Sequence, residues 1–147
     1  MPFGTIDEGD QDGSFKLFVH DVVVDRQAFN EEFAEWLLED PTPEAVTFMA
    51  SQTNQTSDTV AAALTTSSWF LDYSADLRAL NDAVSLLYVV RNEWKELATA
   101  WAGANTPAAT VVAFGKHMMF WERPEEFNRA LDRFLETVLE REPVQES

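Results

Sequence analysis

Two short apolar runs, Val84-Ser85-Leu86-Leu87-Tyr88-Val89-Val90 and Thr110-Val111-Val112-Ala113-Phe114, constrain the fold of this chain more than any other feature. Each is nearly continuous in apolar residues and too short for a free helix, the pattern of a strand buried on both faces. Residues 93–104 between them have helical periodicity, with Trp94, Leu97, Ala98 and Trp101 on one face. Strand, helix, strand is a βαβ unit, which implies parallel pairing and a right-handed crossover. A further helix follows, opened by Pro124 and turning Phe127, Leu131, Phe134, Leu135 and Val138 inward. The fold class expected is α/β, with a partial parallel βαβα unit over residues 84–139.

The preceding part reads differently. Residues 1–13 carry three glycines and four acidic residues, the texture of a flexible lead-in. Residues 14–83 read as a helical segment. Ser14 can cap a helix with Phe15, Phe18, Val19, Val22 and Val23 on one face, although the run Val22-Val23-Val24 also fits a strand. Asp25 can cap a second helix, whose stripe of Phe29, Phe33, Trp36 and Leu37 ends before Asp40-Pro41-Thr42-Pro43. Thr42 caps a third, opened by Pro43, with Ala45, Val46, Phe48 and Met49 expected inside. A fourth helix spans residues 58–66, short helical pieces follow to residue 83, and the charged end at 140–147 should fray.

Composition removes several classes of function. A formal net charge of -16 over 147 residues repels phosphodiester backbones and anionic lipid, so neither nucleic acid nor a membrane is an expected partner. Without cysteine there is no thiol nucleophile, disulfide or thiolate metal site, which fits a cytoplasmic setting. No run approaches the roughly 18 apolar residues of a membrane span, and the first residues lack the basic and apolar regions of a signal peptide. Two distant histidines give no metal-ligand spacing and no glycine-rich loop is present to hold phosphate, so no cofactor is expected.

The chemistry-bearing segment is Phe114-Gly115-Lys116-His117-Met118-Met119-Phe120-Trp121-Glu122-Arg123-Pro124-Glu125-Glu126-Phe127-Asn128. It sets a histidine in a short loop between an apolar strand and a marked helix start. This segment resembles the catalytic-histidine loop of α/β-hydrolases, which runs from a strand through a Gly-His-like loop to Glu-x-Pro-Glu-x-Phe-Asn. Over residues 14–139 the order of elements resembles the C-terminal half of such a hydrolase in the haloperoxidase and epoxide-hydrolase-like branch: a helical cap, then the last strands and helices of the core. Asp76-Leu77-Arg78-Ala79-Leu80 is similar to a segment that often precedes the penultimate strand there, while the proline common before that strand is missing at Val84-Ser85.

The resemblance implies a hydrolase of small apolar esters or lactones, with His117 as general base and an acidic residue to orient it. Glu93, a few residues beyond the first strand, is the candidate acid, although a carboxylate in a first helical turn is also favoured by the helix dipole alone. Met118, Met119 and Phe120 are candidates to line an apolar substrate pocket, whereas Trp121 is expected to pack. His20 reads as a surface residue. Gly-x-Ser-x-Gly occurs nowhere in the chain, and none of Ser51, Ser57, Ser67, Ser68, Ser74 and Ser85 sits in a glycine-flanked turn. Capping explains Ser67 and Ser68 better. The expected activity is therefore that of a minimal hydrolase or of one completed by a partner, either a homodimer or a complementary half. The alternatives are a non-catalytic interaction or oligomerisation domain and a truncated fragment without activity of its own.

Overall fold

The computed structural model describes residues 14–68 and 72–141. The expected lead-in over residues 1–13 and most of the expected frayed end lie outside them, as do Trp69 to Leu71. The chain divides into two compact units, Met1–Ala75 and Asp76–Ser147.

The first unit is helical. Helix α1, Ser14–Val24, settles the ambiguity of the valine run in favour of helix. Helix α2, Arg26–Leu37, opens at Asp25, whose carboxylate accepts from Ala28 N at 3.4 Å. Helix α3, Pro43–Thr53, opens at Thr42, whose hydroxyl accepts from Ala45 N at 3.2 Å. Each cap satisfies an amide that the first turn leaves without an intrahelical partner. Helix α4, Asp58–Ser68, completes the set. Contacts join α1 to α2 and α4, and α2 to α3.

The core of this unit is an aromatic ladder over small side chains. Phe18 meets Phe29 edge-on at 5.0 Å, Phe29 stacks on Phe33 at 5.6 Å, and Phe33 stacks on Trp36 at 5.5 Å. Val22, Ala34, Val46 and Ala50 are buried and Leu38 is 0% exposed. Two expectations are corrected here: Phe48 and Trp36 are exposed, because the buried seam of α3 runs through Val46 and Ala50 and that of α2 through Asn30 and Ala34. Four residues separate each pair, one helical turn on the same face.

In the second unit the short helix α5, Ser74–Leu80, crosses the unit boundary and leads to β1, Leu87–Val90. A 3-10 turn, Asn92–Trp94, and helix α6, Lys95–Asn105, carry the chain over to β2, Thr110–Ala113. The two strands pair in parallel, Leu87 opposite Thr110 and Val90 opposite Ala113, as the βαβ reading requires. Helix α7, Met119–Glu122, and helix α8, Pro124–Arg141, finish the unit.

The crossover is tied down at its end. Thr106 is 0% exposed, its hydroxyl lies 3.2 Å from Tyr88 Oη on β1, and the Tyr88 ring meets Trp101 edge-on at 6.1 Å. Arg78 Nε donates to Asn105 Oδ1 at 2.7 Å, and Ala108 N donates to Asn81 Oδ1 at 3.2 Å, which fixes the far end of α6 against the segment before β1. The strands are half-buried and not enclosed on both faces. The sheet has two strands, so each keeps an outer edge with no neighbouring strand among the described residues. Leu97, expected on the inward face of α6, is exposed, and Ala102 takes the buried position. Leu131 and Leu135 of α8 are likewise exposed.

Candidate functional site

Parallel pairing brings the carboxyl ends of β1 and β2 to one edge, the end of an α/β sheet where ligands bind. The ladder continues beyond the strands themselves. Phe114 N donates to Val90 O at 3.2 Å, and Asn92 N donates to Gly115 O at 3.2 Å. The loop after β1 is thereby stitched to the loop after β2. Gly115 takes a left-handed backbone with φ 58, which turns the chain out of the strand direction at small steric cost. His117 and Met118 follow in a turn, and α7 begins with Trp121 N and Glu122 N both donating to Met118 O.

His117 is exposed as a residue, yet its imidazole pKa lies below the ordinary value of 6.5. Partial desolvation of the ring is the larger cause, and the Arg91 guanidinium is the second, since each disfavours the charged imidazolium. The ring is therefore neutral at pH 7 and able to accept a proton.

Arg91, only 5% exposed, organises the neighbouring loop. Its Nη2 lies 2.6 Å from Glu93 Oε1, and its Cζ stands 4.1 Å from the centre of the Trp94 ring. Glu93 is thus close to the loop but its carboxylate is turned to Arg91. No hydrogen bond or ion pair joins His117 to Glu93 among the described residues. Arg91 was not singled out by sequence reasoning. The available signal was an arginine ending an apolar strand, with an acid two residues on and a tryptophan three residues on.

Met119 is buried, Met118 half-buried and Phe120 exposed, its ring edge-on to Phe127 at 6.3 Å. Trp121 is 43% exposed, which corrects the expectation that it packs inside. A groove of about 380 Å³ runs along β2 and α8, lined by Val112, Phe114, Arg129, Arg133 and Phe134 among others, and His117 does not line it.

No family model, curated protein or solved structure matches this chain.

Other expected features fall as follows. His20 is on the surface, with Nδ1 3.1 Å from Asp21 Oδ1. Ser51 and Ser67 donate back to Phe48 O and Leu64 O within their own helices, at 2.7 and 3.0 Å. Ser67 therefore bonds within the last turn of α4, while Ser57 caps the start of α4 by accepting from Val60 N at 3.4 Å. Within the second unit, Ser85 makes no hydrogen bond to His117. Among the described residues there is no group of His, Asp and Glu able to hold a metal ion, and no helix long and apolar enough to cross a membrane.

Proposed function

We propose that this chain carries the histidine-bearing part of an α/β-hydrolase-type site for small apolar esters or lactones, with His117 as the general base. The nucleophile comes from a complementary half or from a second copy. The observation that carries this reading is the backbone bond from Asn92 N to Gly115 O, which aligns the two post-strand loops at the carboxyl edge of a parallel pair. His117, neutral at pH 7, takes a proton from a hydroxyl or water set within hydrogen-bond reach and returns it to the leaving group. Partial desolvation of the ring, with the Arg91 charge second, disfavours the imidazolium and so favours return of the proton, and Glu93 partly neutralises Arg91.

The test is hydrolysis of short-chain aryl esters by the purified chain, alone and with candidate complementary halves, each repeated with His117→Ala. Turnover that disappears in the variant supports the reading; turnover indifferent to it removes His117 from the mechanism.

A second reading, an oligomerisation or protein-interaction domain, is favoured by one observation: both strands are half-exposed and keep unpaired outer edges among the described residues. Such edges are templates for another chain. Light scattering that shows oligomers, with no esterase activity in any combination, selects it.

A further inference from the structure

We infer that the helical unit holds a binding site for an apolar molecule ending in a carboxylate. This is independent of the hydrolase reading. A groove of about 330 Å³ runs between α1, α2 and α4, within the size range of small-molecule sites, about 300–1,000 Å³. Phe18, Val22, Phe29, Phe33 and Leu64 give it apolar walls, and one cation, Arg26, lies among them.

Arg26 is the unusual element. Its side chain is 10% exposed, and a guanidinium stays charged at any ordinary pH. Nη2 donates to Thr53 O at 2.8 Å. Nε and Nη1 are buried without a hydrogen-bond acceptor. The nearest counter-charge is the carboxylate of Asp58, 3.5 Å from Nη1 and itself 58% exposed. A buried cation with unused donors, held in an aromatic wall beside a water-facing acid, is short of an acceptor. A ligand carboxylate supplies one through charge-assisted hydrogen bonds, and an attached alkyl chain covers the phenylalanines. Asp58, facing water, is then the displaced counter-ion. The long-range repulsion from the acidic chain is screened beyond about 8 Å at physiological salt, so contact with Arg26 decides the binding.

Dodecanoate and its methyl ester are the probes, with binding to the full chain measured by calorimetry. The site predicts one dodecanoate per chain, held roughly tenfold or more tighter than the uncharged ester, as expected for a lost charge-assisted contact. Arg26→Gln should abolish that preference. Asp58→Asn should strengthen dodecanoate binding several-fold by removing the competing carboxylate. Ala61→Phe, which narrows the groove while leaving Arg26 in place, should weaken both probes. Equal affinity for acid and ester in the unaltered chain overturns the proposal, as does weaker dodecanoate binding in Asp58→Asn. These two outcomes remain decisive even where Arg26→Gln fails to fold.

Discussion

Two glycines in the second unit should respond to the same substitution with opposite signs. Gly115 has φ 58 and is buried in the loop that presents His117. An alanine there keeps its Cβ close to the following carbonyl, a cost of roughly 1–2 kcal/mol for a left-handed residue before any crowding by neighbours is added. Gly103 lies in α6, and a Cβ built on it meets nothing within 4 Å. Alanine at that position lowers the entropy of the unfolded chain and should stabilise by about 0.5–1 kcal/mol. The two variants should therefore differ by roughly 1.5–3 kcal/mol in urea unfolding, with a shared slope. Gly115→Asn should fall between Gly115→Ala and the unaltered chain, since asparagine visits the left-handed region more readily. The amide of Asn92, which donates to Gly115 O, should exchange faster in Gly115→Ala. A Gly115→Ala variant as stable as the unaltered chain, or a destabilised Gly103→Ala, would refute the reasoning.

Three further outcomes follow from particular contacts. Because the folded pKa of His117 lies below 6.5, the native state binds fewer protons than the unfolded chain in mild acid. Its contribution to stability is intact above pH 6.5 and is lost as pH falls through the folded value, so His117→Gln should flatten that part of the profile, while Arg91→Gln should raise the imidazole pKa in an NMR titration. Leu38→Ala removes a side chain that is 0% exposed and should cost about 2–5 kcal/mol by chemical denaturation. Tyr88→Phe and Thr106→Val each break the 3.2 Å contact between β1 and the end of α6, and in a double-mutant cycle their effects should fall short of additivity by about 0.5–1.5 kcal/mol.

Local signals carried furthest where one residue decides the outcome. Asp25 and Thr42 cap helices because a short side-chain oxygen reaches an amide three residues on, and that geometry needs no tertiary information. The parallel pairing was legible because two apolar runs with a helical segment between them leave few other connections. Burial was less legible. Periodicity marks Leu97, Phe48 and Trp36 as apolar and correctly spaced, but which of several apolar positions goes inside depends on how closely a helix approaches the helix or strand it packs on. At those approaches the small residues Ala34, Ala50 and Ala102 are enclosed. The site followed the same division. The position of His117 after β2 could be read from the chain, whereas the turn of Glu93 toward Arg91 depends on where two side chains meet beyond the strand end.

That turn changes what the histidine requires. In a serine-histidine-acid arrangement the carboxylate holds the imidazole and stabilises the charge it acquires. Here desolvation keeps the ring neutral, and the charge that acts with it, Arg91, is a cation. A neutral ring is ready to accept a proton, but the imidazolium that results has no carboxylate hydrogen-bonded to it among the described residues. Proton abstraction is therefore uphill at this loop by itself. On the proposed hydrolase reading, a completing chain would have to supply a negative charge at the ring as well as a nucleophile, or draw Glu93 off Arg91 by offering the guanidinium another anion. The second route needs no new acid, because Glu93 is half-exposed and already sits in the loop stitched to that of His117. An anionic group brought to Arg91 would then do two things at once, shielding the ring from the cation and releasing the one carboxylate the loop contains.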